Sequence, residues 1–75
     1  TMIRKKEDHG GKPVLDLTGP DGNAYALLAY AKRYAKDLGM MDKWKDVEKE
    51  MTSGDYENLV QTFDKYFGDF VILER

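Results

Sequence analysis

Residues 15–24 read Leu-Asp-Leu-Thr-Gly-Pro-Asp-Gly-Asn-Ala, and within them the chain changes from one type of secondary structure to another. The apolar alternation of residues 14–17 favours a short, half-buried strand. Gly19 and Pro20 then interrupt this strand, and the fixed φ of proline suits the first turn of a helix. The segment therefore predicts a strand that turns directly into a helix.

The same turn is the first candidate for a binding site. Backbone amides at the start of a helix point away from it and favour anions. A turn of this kind is also needed simply to join a strand to a helix. The residues that would bind an anion here are Thr18, Gly19, Asp21, Gly22 and Asn23.

The helix that follows is expected to run from Pro20 or Asp21 to Leu38, with Gly39 ending it in a left-handed conformation. Its core face has apolar residues at three- and four-residue spacing: Ala24, Leu27, Leu28, Ala31, Ala35 and Leu38. Because apolar residues continue around most of its circumference, the helix is either deeply buried or meets a second surface. That second face is predicted to contact another molecule through Tyr25, Ala26, Ala29, Tyr30 and Arg33.

Two shorter helices are expected after Gly39. The second begins at Met40 or Met41, and its inner stripe comprises Met41, Trp44, Val47, Glu48 and Met51. Thr52 or Ser53 is expected to cap the third helix, which ends at Gly68. The buried face of the third helix comprises Tyr56, Leu59, Val60, Phe63 and Phe67.

A second strand is expected near residues 69–73, where the run Phe70-Val71-Ile72-Leu73 is rich in strand formers. It should pair with the strand near residues 13–17, in either direction, since two brief strands are unstable apart. The predicted fold class is α+β: one small domain, residues 13–75, ordered strand, helix, helix, helix, strand. In it, a two-stranded sheet packs against three helices that share a core including Trp44, Leu59, Phe63 and Leu28.

Composition limits the functional classes. The chain has 75 residues and no cysteine, so disulfides and thiolate metal sites are excluded, and a cytoplasmic location is expected. No apolar run approaches the ~18 residues of a membrane span. No catalytic residues, metal or cofactor are predicted, since nucleophile–histidine pairs and phosphate-loop motifs are missing from the sequence.

The charge is unevenly distributed. Residues 1–12 carry four basic and two acidic residues and are expected to form a flexible basic arm, whereas residues 13–75 carry eight basic and twelve acidic ones. An acidic body repels nucleic acid and suits a basic partner surface. His9, the single histidine, is not expected to bind a metal because no second histidine or cysteine accompanies it.

Two chemical interpretations are weaker. Asp16, Asp21 and Asp55 could meet as Mg²⁺ ligands or as an acid–base pair, but capping and turn formation already explain two of them. Residues 41–51 and 55–67 could form a helix-turn-helix. The would-be recognition helix, however, begins with carboxylates where DNA phosphates would lie.

Two sequence blocks carry a resemblance. Residues 15–24, followed by Leu27-Leu28 and Ala31-Lys32-Arg33, resemble the opening of small uncharacterised proteins encoded in phage and prophage genomes. Residues 51–59, Met-Thr-Ser-Gly-Asp-Tyr-Glu-Asn-Leu, are similar to a second block of that family. The resemblance covers most of residues 14–70 and implies a phage or host-cytoplasm setting, in which many short acidic proteins bind a host protein. It assigns no activity and no functional residue.

Three functions from different classes remain. A non-enzymatic protein-interaction module, acting on a host or phage protein or forming a homodimer, is favoured by the acidic body and the tyrosine-rich helix. A small-ligand or nucleotide binder would use the turn at residues 19–24. A weak nucleic-acid binder would use the basic arm.

Overall fold

A computed structural model describes residues 11–75 of the chain. The predicted order of elements and the α+β fold class are confirmed. Most of the expected arm, including His9, lies outside the described residues. The elements are strand β1 (Val14–Asp16), helix α1 (Ala24–Asp37), a 3₁₀ turn (Met41–Lys43), helix α2 (Trp44–Met51), helix α3 (Tyr56–Phe67) and strand β2 (Ile72–Glu74).

The two strands pair in parallel, with Leu15 opposite Leu73. Backbone bonds extend the pairing at both ends. The amide of Ile72 donates to the carbonyl of Pro13 at 2.9 Å, and that of Leu17 donates to Glu74 at 2.7 Å. The sheet therefore joins the first and last elements of the domain, and the three helices lie between them in sequence.

β2 begins later than the expected range 69–73. The amides of Phe70 and Val71 both donate to the carbonyl of Phe67, at 2.9 and 3.0 Å. These bonds keep the chain turning after α3, so it becomes extended only at Ile72. Phe70, expected in the strand, is 46% exposed in that turn.

One apolar core holds the elements together. Phe63 and Phe67 are fully buried at its centre, with ring centroids 5.3 Å apart. The prediction that Trp44, Leu59 and Phe63 share this core is confirmed, and Leu28 packs against it while partly buried. The buried apolar residues are Leu15, Leu27, Ala31, Ala35, Trp44, Val47, Met51, Leu59, Val60, Phe63, Phe67 and Val71.

The start of α1 corrects the prediction, because the helix begins at Ala24 and not at Pro20 or Asp21. Asn23 is the N-cap: its Oδ1 accepts from the amide of Ala26 at 2.9 Å, while its Nδ2 donates to the carbonyl of Pro20 at 2.8 Å. Gly22 folds so closely onto the preceding chain that a Cβ there would lie 1.8 Å from the carbonyl oxygen of Leu17. Proline thus opens a turn and not the helix.

The end of α1 is as predicted at Gly39, which has a φ of 72°. The amide of Met40 donates to Ala35 at 2.7 Å and that of Gly39 to Lys36 at 3.2 Å, the two bonds of a Schellman motif. Leu38, predicted in the core, is exposed. It is the C-cap residue, so it lies beyond the regular helical positions that set the core face.

The predicted inner faces of α2 and α3 need correction at their edges. Met41 is 43% exposed because it belongs to the 3₁₀ turn, whose helical period differs from that of α2. Glu48 lies about 100° around α2 from buried Val47 and is exposed. Tyr56, the first residue of α3, is also exposed, whereas Thr62, which the apolar pattern omitted, is buried.

The caps between α2 and α3 also differ from those expected. The hydroxyls of Thr52 and Ser53 donate to the carbonyls of Glu48 and Glu50, so both residues terminate α2. Asp55 caps α3, because its Oδ1 accepts from the amide of Asn58 at 2.9 Å. A carboxylate caps a helix at least as well as a hydroxyl does, and its negative charge interacts favourably with the positive end of the helix dipole.

A polar contact centred on Glu50 joins α2 to α3. Its Oε1 accepts from the hydroxyl of Tyr66 at 2.8 Å, and its Oε2 pairs with Lys65. Hydrogen bonds from Lys65 and Tyr66 hold the pKa of the Glu50 carboxyl below its ordinary value. The backbone carbonyl of Glu50 accepts from Asn58 at 2.9 Å.

Candidate functional site

The solvent side of α1 is the strongest candidate for an interaction site. Residues four or seven positions apart return to the same side of a helix. This spacing places one tyrosine, one alanine and three cations together, and Met41 of the following 3₁₀ turn borders them. We call this surface the α1 outer face: Tyr25, Ala29, Lys32, Arg33, Lys36 and Met41.

Tyr25 is the most exposed of the large hydrophobic side chains within residues 11–75. It has 87% of its area in solvent, although the opposite side of the same helix is completely buried at Leu27, Ala31 and Ala35. A tyrosine contributes a large, rigid apolar body and a hydroxyl that tolerates water, which suits it to protein interfaces. Its exposure is therefore not explained by the packing of the domain.

The three cations of the α1 outer face have no carboxylate partner within residues 11–75. Lys32, Arg33 and Lys36 are all exposed. By contrast, Lys65 and Arg75 each form an ion pair with a glutamate. The C-terminal half of α1 is thus a basic surface on a chain whose net charge is −2.

A shallow, mainly apolar depression lies among these cations. It is lined by Ala29, Lys32, Arg33, Lys36 and Met41. The small side chain of Ala29 leaves the floor open, and the thioether of Met41 can adapt to what enters. The depression is therefore suited to a single apolar side chain surrounded by positive charge.

The structure separates the five residues predicted to form the interaction face. Tyr25, Ala29 and Arg33 lie together and are exposed, and Ala26 is half-buried at the margin. Tyr30 lies elsewhere, because it packs against the core. Its ring stacks on Tyr34 with centroids 6.2 Å apart, and its hydroxyl donates to Asp21 at 3.3 Å.

Tyr34 continues this packing into the core. Its ring meets the edge of Phe63 and is tilted against Phe67, with both centroids 6.3 Å away. Burial raises the pKa of the Tyr34 hydroxyl above its ordinary value. The half-buried tyrosines of α1 are thus structural, and the exposed one is available to a partner.

Sequence reasoning missed Lys32, Lys36 and Met41 as site residues. The helix dipole favours cations near a C-terminus and is by itself a sufficient reason for two lysines there. Helical spacing from Tyr25 and Ala29 would have identified both, since they follow at three- and four-residue intervals. Met41 carried no such signal, because its position depends on how the chain leaves α1.

Most hydrogen-bond donors of the predicted anion-binding turn already donate to acceptors within the chain. The amide and the hydroxyl of Thr18 both donate to Oδ1 of Asp16, at 2.9 and 2.6 Å. These bonds hold the pKa of the Asp16 carboxyl below its ordinary value. The amides of Gly19 and Gly22 donate to backbone carbonyls, and Asn23 caps the helix. A carboxylate of the chain itself thus takes the position of an external anion at Thr18.

The three aspartates considered as a catalytic or metal site have separate structural roles. Asp16 accepts from Thr18, Asp21 accepts from Tyr30 and Asp55 caps α3. Within residues 11–75, no group of three or more His, Cys, Asp or Glu side chains could hold a metal ion.

The start of α3, considered as a DNA-recognition helix, is acidic and internally paired. Arg75 donates to both carboxylate oxygens of Glu57, at 2.7 and 2.8 Å, and Gln61 donates to one of them at 2.9 Å. Chiefly the hydrogen bonds from Arg75 lower the pKa of the Glu57 carboxyl to about 2. A carboxylate held ionised at this position opposes phosphate binding.

No known protein family, curated protein or solved structure matches the chain. Among residues 11–75, no helix is both long enough and apolar enough to cross a membrane. The geometry and charge of the α1 outer face are therefore the features that bear on function.

Proposed function

We propose that this chain is a non-enzymatic protein-interaction module that contacts its partner through the α1 outer face. One observation carries the proposal: Tyr25 is 87% exposed on a helix whose other side forms the core. The cations around it, which have no carboxylate partner within residues 11–75, give the same surface a positive charge. The partner is a host or phage protein in the host cytoplasm, in keeping with the resemblance of residues 15–24 and 51–59 to phage-encoded proteins.

The proposal is consistent with the rest of the described chain. In the turn at residues 18–23, Thr18, the amides of Gly19 and Gly22 and the side-chain amide of Asn23 donate within the chain. The carboxylates of Asp16, Asp21 and Asp55 serve the turn, the packing of Tyr30 and a helix cap. These features form part of the scaffold that positions α1. By contrast, the exposed Tyr25 of the α1 outer face has no packing role in this scaffold.

Photo-crosslinking at the proposed contact tests this function. Tyr25 is replaced by p-benzoylphenylalanine, which keeps an aromatic ring at the site, and the variant is irradiated in an extract of the cells that carry the gene. The matched control carries the same amino acid in place of exposed Lys45 on α2. We expect a discrete covalent adduct from position 25 and none from position 45. Equal adducts from both positions, or none from position 25, would contradict the proposal.

A further inference from the structure

We infer that the partner segment bound by the α1 outer face is acidic and carries an apolar side chain. Its carboxylates would meet the cations of α1, and its apolar side chain would enter the depression beside Ala29. This inference rests on the proposed function and specifies the chemistry of the partner.

The arrangement of the cations supports an acidic segment. Lys32 and Lys36 are one helical turn apart, about 6 Å along the axis, and Arg33 lies beside them. Asp37, the acidic residue of α1, lies about 100° around the helix from Lys36 and about 140° from Lys32, but only about 40° from Arg33. Lys32 and Lys36 are therefore the cations that face away from it. Two carboxylates one helical turn apart, or two residues apart on an extended chain, would match this spacing.

The apolar part of the face sets a second requirement. Tyr25 lies one turn before Ala29 and does not line the depression. A partner side chain over Ala29 would therefore meet the cations, and a neighbouring part of the partner would meet the tyrosine ring. Met41 adds a second apolar side chain to the lining of the depression. A purely acidic segment would leave this apolar surface in contact with water, which is why the segment needs an apolar residue.

A second copy of the chain fits this surface poorly. In a two-fold dimer centred on the face, Lys32, Arg33 and Lys36 of one protomer would approach the same residues of the other. The area is also small for a stable dimer. A 14-residue helix is about 21 Å long, and one side of it offers less than the roughly 800 Å² per partner that is usual in stable complexes. A face of this size suits a short partner segment better than a second folded domain.

Nucleic acid fits less well than a short acidic segment. A polymer of phosphates would extend past the three cations of α1 onto a body with an excess of carboxylates. Asp37 and Asp42, next in sequence to the lining residues Lys36 and Met41, are exposed. A protein segment can confine its negative charge to the few residues that face the cations.

Selection from a random peptide library displayed on yeast tests the inference. The full chain is immobilised, the bound peptides are sequenced, and selected peptides are synthesised with a fluorophore for anisotropy titration. We expect enrichment of Asp and Glu together with at least one large apolar residue. Binding should weaken as the salt concentration rises from about 0.05 to 0.5 M, because screening shortens the range of the charge interactions.

Two variants locate the binding. The triple variant Lys32→Gln, Arg33→Gln, Lys36→Gln should weaken binding about tenfold, or about 1.4 kcal/mol. The matched control removes the same charge from exposed lysines of the 3₁₀ turn and α2, and it should bind as the parent does: Lys43→Gln, Lys45→Gln, Lys49→Gln. The variant Ala29→Gln fills the depression at an exposed helical position without changing the charge, and it should abolish binding.

The other outcomes separate this inference from the proposed function. One outcome is that the selected peptides are not enriched in acidic residues, and that their binding is lost in Ala29→Gln but not in the triple variant. This result would overturn the inference and leave the proposed interaction face intact. Peptides insensitive to both variants would overturn both proposals. If a labelled single-stranded oligonucleotide binds the face more tightly than the peptides, the partner is nucleic acid and not an acidic segment. If the chain self-associates and Ala29→Gln abolishes this, the partner is a second copy of the chain.

Discussion

The replacement of Phe63 by alanine tests the core that supports α1. The Phe63 side chain is 0% exposed, its ring centroid lies 5.3 Å from that of Phe67, and it meets Tyr34 edge to face at 6.3 Å. Removing a buried phenylalanine costs about 3–5 kcal/mol, because transfer free energy is lost and a cavity remains. A 75-residue domain has roughly 4–11 kcal/mol in total. We therefore expect Phe63→Ala to lose a large part of the stability.

Phe70 is the matched control, since the same substitution there removes a side chain that is already 46% exposed. We expect Phe70→Ala to cost about 1 kcal/mol or less. Thermal and urea unfolding, followed by circular dichroism, should show a fall in Tm of about 12 °C or more for Phe63→Ala and a much smaller one for Phe70→Ala. If Phe63→Ala does not fold, Phe63→Leu and Phe70→Leu provide the same comparison. Phe63→Leu should then lower the free energy of unfolding by about 1 kcal/mol. Equal losses at the two positions would refute the assigned core.

Three further results follow from individual contacts. Tyr25→Ser should leave the Tm unchanged, whereas Tyr30→Ser should lower it, because only Tyr30 packs on the core; equal melts would show that both rings are external. Gly22→Ala should cost about 2 kcal/mol or more in urea unfolding. Its Cβ would lie 1.8 Å from a carbonyl oxygen, whereas Gly19→Ala, with nothing closer than 3.8 Å, should be tolerated. The pKa of Glu57 is lowered from 4.5 to about 2 in the fold, so its stabilising effect should be complete above pH 4.5 and disappear as the pH falls towards 2. Urea titrations across this range should show that Glu57→Gln removes that part of the acid sensitivity, and an unchanged pH profile would contradict the assigned ion pair.

The sequence predicted those parts of the fold that depend on short-range pattern. Apolar spacing located three helices and most of the core, and Gly39 marked the end of α1 because a left-handed residue was needed there. The parallel direction of the sheet could not be obtained in this way, because it depends on how three helices pack between residues 16 and 72. The start of α1 depended on the contact between Gly22 and Leu17, which no local propensity encodes.

The candidate site was predicted in part, and the reason for the error is geometric. Tyr25 and Tyr30 were assigned to one face, but a separation of five residues places them about 140° apart around a helix. One therefore faces solvent and the other the core. The cations at Lys32 and Lys36 were visible in the sequence, but their lack of partners within residues 11–75 became apparent only once the surrounding helices were in place.

The parallel pairing of β1 and β2 also affects how the domain bears mechanical load. Tension applied through the segments that flank residues 14 and 74 pulls the two strands in opposite directions along their own axes. The inter-strand bonds, including those at Ile72 and Leu17, are then loaded together in shear and not opened one at a time. Force applied between these two points therefore passes through the sheet and not through the helices for as long as the inter-strand bonds hold.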